Sequence, residues 1–373
     1  MSLKVLIIST SLGLGGGDRE VVQLVSNLFR RGYEIKIIVM VQLGLMGEEL
    51  VNQGFDVQSL GMTSGIPDVR VIPRLLSIIS NWKPDVIHSH MIHANLLARV
   101  TKLFLYKPPI LVCTAQNVDE SEGQRWRDFA YRFTDFSCNL TTNVTQSGVE
   151  RYINIGLVPA NKICFIPNSV DSITYSPNMS LRASMRQDLE LGSRFTWLAV
   201  GRFYLQKDYP TMISAFAKVL SSEPDTVLMI AGEGILQGEI KDLVNQLGIQ
   251  KSVMFLGPRR DIHALMNSAD AQVMSSAWEG MPLVLLEAAS TGLPIVSTDV
   301  GGVAETVIHG KSGFLVPAAS PDHLAKSMLE MMNLPQEKRI EMGQTGRNYV
   351  TSNYSTETVV DQWENLYHKI LKR

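Results

Sequence analysis

Only three cysteines occur in the 373 residues, Cys113, Cys138 and Cys164, with neither CxxC spacing nor a histidine at ligand distance. That scatter excludes a disulfide scaffold, argues against a structural zinc site and fits buried free thiols in a reducing compartment. Positive charge is not in excess either: 34 Lys and Arg stand against 36 Asp and Glu, a formal net charge of −2. Nucleic acid is therefore not expected as a partner, since its binding shows as a clear basic excess. An acidic tail is absent, and no apolar run approaches the roughly 18 residues needed to span a bilayer. No DxD pair is present to clamp a metal-bound diphosphate, and neither a metal nor any other cofactor is expected. The dinucleotide fingerprint GxGxxG is missing as well, because Gly13 and Gly15 would need a glycine where Asp18 stands, which disfavours a nicotinamide dehydrogenase.

What is present is an ordinary globular composition, 45% hydrophobic and 19% charged, on a chain long enough for two cores. The apolar runs KVLIIST, EIKIIVM, DVIHSH, ILVCTAQ and ICFIPNS alternate in the first half with helical patterns. The clearest helix is REVVQLVSNLFRRG, whose Val21, Val22, Val25, Leu28 and Phe29 fall on one face. Continuous apolar strands alternating with helices predict a parallel sheet covered on both sides. The opening run is β-branched and followed by glycines, so it reads as a first strand and not as a signal peptide, and a cytoplasmic protein is expected. The pattern restarts with WLAVGR, TVLMIAG, VMFLGP, AQVMSSA, PIVSTDV and GFLVP. Between the halves, PNSVDSITYSPNMS reads as a linker with the boundary near residue 172. The expected fold class is α/β: two tandem Rossmann-like, doubly wound domains, 1–172 and 173–353, facing each other across a cleft. Ligands then belong in the loops that follow the strands.

Four such loops carry candidate chemistry. In TSLGLGGGDREVV, Gly15 and Gly16 precede a helix, where glycines admit a phosphate and free amides attract anions; a tight turn without a ligand is the alternative. In VGRFYLQKDYP, Arg202 and Lys207 follow the first strand of the second half, where a planar fork and a mobile ammonium can share a diphosphate's charge, although two loop cations are commonly just solvated. In SSAWEGMPLVLLEAASTGLP, Pro282 suits the first turn of a helix over about 282–291. The unpaired amides around Pro282, from Gly280 and Met281 to Leu283 and Leu285, form a second anion site. Glu279 before that helix and Glu287 within it can grip two parts of one extended ligand, as carboxylates accept from paired sugar hydroxyls. In DVIHSHMIHANLLARV, His88, His90 and His93 sit at a strand-to-helix junction without a completing metal cluster. One of them reads as a hydrogen-bonding or proton-handling group, against a structural histidine as the alternative.

These stretches together resemble the retaining glycosyltransferases of family GT4, which have a GT-B fold. SSAWEGMPLVLLEAASTGLPIVSTDVGGVAE is similar to the family's E-x7-E signature, GLGGGDREVVQL to its N-terminal glycine loop, IPNSVD to its PNGVD element and VGRFYLQKDYPTMISAFA to its GR...K motif. YSTETVVDQWENLYHKILKR resembles the final helix that crosses back to the first domain, so 354–373 is assigned there. The resemblance implies that Arg202 and Lys207 bind the donor diphosphate, that Glu287 holds the ribose, and that Glu279 with Gly280 to Leu283 meets the transferred sugar. It further implies that Gly16 approaches the phosphate and that Phe255 to Pro258, with Gly257 and Pro258, contact the base through the backbone. His90 best matches the active-site histidine, with His93 the other candidate. Ser169 replaces the usual glycine of PNGVD, expected to alter only the linker turn. Gln116, beside Asn117, stands where many relatives have histidine and bears on the acceptor side.

The expectation is therefore a metal-independent hexosyltransferase using a nucleotide sugar, with UDP expected from its frequency in the family. The acceptor would be a hydroxyl of a sugar or lipid-linked glycan in bacterial polysaccharide, capsule or lipopolysaccharide assembly. A nucleotide-sugar 2-epimerase would need the same donor and no acceptor, and a non-catalytic nucleotide-sugar-binding protein would keep Glu287, Arg202 and Lys207 alone. EGQRWRDFAYRF and LLARVTKLFLYKPP mix aromatic and basic residues, which fits either peripheral contact with the inner face of an anionic membrane or ordinary helices packed on the sheet.

Overall fold

The computed structural model describes residues 2–13, 15–63, 68–118 and 124–372. The chain divides into two compact units, residues 1–169 with 356–373 and residues 170–355. In the first, β1 (Lys4–Ser9), β2 (Glu34–Val39), β3 (Asp56–Ser59), β4 (Val86–His90), β5 (Ile110–Ala115), β6 (Leu140–Asn143) and β7 (Ile163–Phe165) form one sheet in the order β3-β2-β1-β4-β5-β6-β7. In the second, β8 (Phe195–Val200), β9 (Thr226–Ala231), β10 (Val253–Gly257), β11 (Ala271–Met274), β12 (Ile295–Thr298) and β13 (Gly313–Val316) run in the order β10-β9-β8-β11-β12-β13. Every strand pair in both sheets is parallel. Both units are thus Rossmann-like, and in each the order reverses beside the unit's first strand.

Side chains alternate across the first sheet with period two. Val5, Ile7, Ile37, Val39 and Val86 enter one core, with the helix Gly16–Arg30 and the final helix Thr356–Leu371; Leu6, Ile8, Ile38 and Ile87 enter the other. The final helix contributes Val359, Val360, Trp363, Tyr367 and Ile370, all buried, so it belongs to the core of the first unit. In the second unit Trp197, Ala199, Leu228, Ile230 and Val273 pack under Ile213, Phe216 and Met328 from the covering helices. All three cysteines are free thiols, Cys113 and Cys138 buried and Cys164 half-buried.

Two details differ from the pattern read in the sequence. Phe29 lies on the rim of its helix, 59% exposed and tilted against Phe55 with ring centroids 5.1 Å apart, while Leu24 is buried in the core. Ser169 does more than shape a turn. Its backbone N–H donates to Glu20 Oε2 at 2.9 Å, and its hydroxyl lies 3.2 Å from both Glu20 oxygens and 3.0 Å from Gln23 Oε1, a contact glycine could not make.

Burial pushes the Glu20 carboxyl up from 4.5 to about 7, against the lowering effect of the Ser169 N–H. An acid that holds its proton more tightly folded than unfolded lowers stability as pH rises, here between about 4.5 and about 7, with no further change above. Glu20→Gln removes that loss. The unfolding free energy of the variant minus that of the native chain, measured in urea, should grow from pH 4.5 to pH 7 and then level off, by at most about 3 kcal/mol; a difference that ignores pH would contradict a buried, proton-holding Glu20.

Candidate active site

Where strand order reverses, the loops leaving neighbouring strands diverge to opposite faces of the sheet and open a gap at the carboxyl ends. In the second unit these are the loops after β8 and β11, which carry Arg202, Lys207 and Glu279. Lys207 closes a short 3-10 turn, Leu205–Lys207, and Asp208, in the left-handed region at φ 42°, caps the helix Tyr209–Ser222 by accepting from Thr211 N–H. Lys207 Nζ lies 2.6 Å from Glu279 Oε1, which also accepts from the Ser276 hydroxyl at 2.7 Å; Gln206 Nε2 donates to Oε2 at 3.2 Å. Two further bonds zip the loops: Ala277 N–H donates to Gln206 O at 2.8 Å and the Ser275 hydroxyl to Lys207 O at 2.8 Å. Arg202 stays exposed, its guanidinium 5.0 Å from the Tyr204 ring centroid.

The sequence reading gave Lys207 and Glu279 to different parts of a ligand, whereas the structure joins them in an ion pair with side chains 18% and 7% exposed. Gly280, Met281, Pro282 and Leu283 follow, all buried, and lead into the helix Leu283–Ser290, with Pro282 as the residue before its first turn. Glu287 lies in that helix, 2% exposed. Gly257, at φ 66°, ends β10 and its carbonyl accepts from Gly232 N–H at 2.8 Å, while Pro258 is exposed.

The residues that hold these loops are not among the candidate site residues. Gly301, at φ 56°, lies so close that a Cβ would fall 1.9 Å from Glu279 O, and a Cβ on Gly232 would fall 2.0 Å from Gly201 O. Gly302 N–H donates to Gly280 O at 2.9 Å, and the Thr298 hydroxyl to Ser276 O at 2.7 Å. Glycines just after strands, in IAGEG and TDVGG, were the available signal.

In the first unit the reversal lies between β1 and β4. Gly15 precedes the helix Gly16–Arg30, and Asp18 turns back so that its carboxylate accepts from Gly15 N–H at 3.1 Å and from the Ser11 hydroxyl at 2.9 Å. The anion-attracting helix start thus already faces one carboxylate of its own chain. His88 and His90, two residues apart, share one face of β4, with ring centroids 4.0 Å apart. His90 is 1% exposed, and burial drives its pKa down to about 3, so the ring is neutral at physiological pH. Gln116 Nε2 faces His90 Nδ1 at 3.3 Å; an amide N–H donated there makes Nδ1 the acceptor and leaves the ring proton on Nε2, a buried atom without a hydrogen-bond partner among the described residues. Gln116 also packs at 3.5 Å from where a Cβ would stand on Gly17, which joins the loops after β1 and β5 to the end of β4. Met91 links His90 to the helix Ile92–Lys102 at φ 71°, a conformation that costs a non-glycine residue about 1–3 kcal/mol. His93, half-buried, sits in the first turn of that helix, and the Asn117 carbonyl accepts from Asn143 at 3.1 Å. Among the described residues no group of three His, Cys, Asp or Glu side chains is placed to hold a metal ion.

Two family models cover most of the chain: Glycosyltransferase Family 4 over residues 14–172 and Glycosyl transferases group 1 over residues 182–349. The chain belongs to the family 4, group 1 glycosyltransferases. This glycosyltransferase is 26% identical, over 81% of its length and 80% of the relative's, to the UDP-Gal:alpha-D-GlcNAc-diphosphoundecaprenol alpha-1,3-galactosyltransferase of Escherichia coli. It is 31% identical to N-acetyl-alpha-D-glucosaminyl L-malate synthase of Bacillus anthracis, over 46% of this chain and 45% of that one. Its fold matches the crystal structure of HepE from Anabaena in complex with UDP, with a TM-score of 0.89 at 19% identity, over 98% of this chain and 100% of that one. Two Rossmann-like units in one chain, as in such neighbours, make this a GT-B glycosyltransferase.

The Lys207–Glu279 pair tests the architecture of the donor-side loops. Lys207→Met leaves a nearly buried carboxylate without its cation and should destabilise the chain by about 2 kcal/mol in urea unfolding, less than the loss for a fully buried pair. Adding Glu279→Gln should recover at least half of that. Strictly additive losses would show that the two side chains do not interact.

Proposed function

We propose that this glycosyltransferase moves a hexosyl unit from a nucleotide sugar, with UDP as the base carrier, to a hydroxyl of a sugar or lipid-linked glycan, with retention of anomeric configuration. The observation that carries the reading is the joined pair of loops after β8 and β11, where exposed Arg202 stands in the same loop as Lys207, the ion-pair partner of Glu279. The UDP in the HepE complex and the UDP-galactose donor named for the Escherichia coli relative support the choice of base. That relative's name, with its lipid-diphosphate-linked acceptor, likewise favours a role in bacterial surface-polysaccharide assembly.

In this reading the donor diphosphate meets Arg202 and draws Lys207 toward itself, in competition with Glu279. The amides from Gly280 to Leu283 add positive potential at the helix start, and Glu287 takes the ribose hydroxyls. As the sugar–phosphate bond breaks, the leaving diphosphate gathers negative charge that these groups neutralise without a metal. The acceptor hydroxyl attacks from the side the diphosphate leaves, and its proton passes to the departing phosphate oxygen. A covalent glutamyl intermediate would need a free carboxylate as nucleophile. Glu279, which keeps Ser276 on one oxygen and Gln206 on the other when Lys207 turns to the diphosphate, suits orienting a sugar hydroxyl better than attacking carbon. His90, neutral with its proton on Nε2, offers a hydrogen-bond donor to an oxygen of the reacting sugar and not a base.

The same reading includes peripheral contact with the inner face of an anionic membrane. The helix Arg125–Phe133 turns its aromatic stripe outward, with Trp126 55%, Phe129 69% and Phe133 68% exposed, and Arg125 and Arg132 exposed beside it. An apolar face with cationic flanks suits a headgroup layer and not a packed sheet face.

Calorimetric titration without added metal should give binding of UDP tighter than of GDP or ADP. It should be weakened about ten- to a hundredfold by Arg202→Ala and by Glu287→Ala, the loss expected for charge-assisted hydrogen bonds. Unchanged binding in both variants would sink the donor site, and a β-linked product from an α-linked donor would sink retention. In sedimentation with vesicles, the chain should pellet with anionic and not with neutral lipid, and a Trp126→Ser, Phe129→Ser, Phe133→Ser variant should stay in the supernatant. Equal pelleting of variant and native chain would refute this face.

A further inference from the structure

Of the two histidines on β4, His88 is the one that the donor chemistry leaves unused, and it is the more firmly held. Its Nδ1 lies 2.7 Å from the Tyr367 hydroxyl and its Nε2 2.6 Å from Thr114 Oγ1, which in turn lies 2.8 Å from Thr142 Oγ1. All four side chains are fully buried, within 1% of zero exposure. The His88 ring also contacts Trp363, with centroids 4.5 Å apart, as well as His90 at 4.0 Å. Tyr367 and Trp363 stand on the final helix, one turn apart and on one face. With both nitrogens bonded, the His88 ring can neither flip nor tilt without breaking a bond in a water-free core, where an unmade bond costs its full desolvation. His90, by contrast, has one side-chain bond among the described residues, at 3.3 Å to Gln116, and rests its ring against this fixed plate.

We propose that Tyr367 and Trp363 of the C-terminal helix are positioning residues for sugar transfer: through His88 they set the orientation of the His90 ring and so aim its Nε2–H. The inference rests on the reading that His90 works at the reacting centre. It gives the returning helix a role beyond covering the sheet, and it assigns His88 to a buried relay, Tyr367–His88–Thr114–Thr142, outside the chemistry itself. Trp363 supplies the ring contact and Tyr367 the hydrogen bond, so the two act on the plate separately.

Tyr367→Phe removes one oxygen and keeps the packing, which makes it the informative variant, with the thermal midpoint as the check on folding. Transfer assays should show kcat lowered about tenfold with KM for the nucleotide sugar within about twofold, since misplacing a reacting group acts on the transition state and not on donor binding. In a His90→Ala background the same substitution should have no further effect on kcat. Nitrogen-15 spectra of labelled histidine should show the His90 ring signals shifted by Tyr367→Phe, a readout that simple loosening of the helix would not move selectively. Restoring the ring plate without the bond is not possible, but Thr114→Ser, which keeps the hydroxyl, should retain near-native kcat where Thr114→Val loses it. If His90→Ala is impaired while Tyr367→Phe keeps full kcat and unshifted His90 signals, the positioning role is overturned and the reading of His90 stands. If His90→Ala is fully active, the reading of His90 falls and the positioning role falls with it.

Discussion

A parallel sheet must be buried on both faces, because its connections are helices that cross over it, and each unit of this chain obeys that constraint. Strand β1 can be apolar at four successive positions only because neighbouring residues feed separate cores, Val5 and Ile7 on one side and Leu6 and Ile8 on the other. Helices on both faces oblige the strand order to reverse once, and the reversal leaves a gap at the carboxyl ends that no helix fills. The glycine-rich turn, the histidine segment, the Arg202 to Lys207 loop and the Glu279 loop all lie at those two reversals. Their chemistry follows from the topology as much as from the residues themselves.

The chain handles buried charge in three ways. Glu279 stays beside Lys207 with two more donors on its oxygens, so each charge has a partner that a ligand can compete for. Histidines 88 and 90 are kept neutral by burial and used as hydrogen-bonding plates. Arg99, with no exposure, keeps its charge against the Tyr131 ring at 3.7 Å, the Tyr131 carbonyl at 2.8 Å and Asp135 at 3.6 Å. The first arrangement can be rearranged by an incoming anion. The buried bonds of His88 and of Arg99 cannot, which suits scaffolding.

The second sheet was legible throughout, since each of its strands is an apolar run between turn residues, and so was the family, whose motifs are contiguous stretches. In the first sheet two strands escaped. β3, DVQS, is an edge with exposed and half-buried polar positions, and β6, LTTN, is buried but polar, its Thr141, Thr142 and Asn143 hydrogen-bonded within the core. Hydrophobic pattern cannot find a strand whose burial is satisfied by hydrogen bonds. Phe29 failed for a related reason: helical periodicity places a residue on a face, but whether its rim is covered depends on what packs there.

By itself the sequence determined the α/β class, the alternation that buries both faces, the presence of two such units and the short glycine, cation and glutamate motifs, because all of these are written in local composition and spacing. Only the tertiary structure decided that Lys207 pairs with Glu279, that Gly301 and Gly232 press the loops together, that Asp18 turns into its own helix start, and that His88 is held by Tyr367 from the far end of the chain. Those are contacts between residues up to 279 positions apart. Their energies arise from the burial and geometry that the whole fold imposes, and a linear pattern carries no record of them.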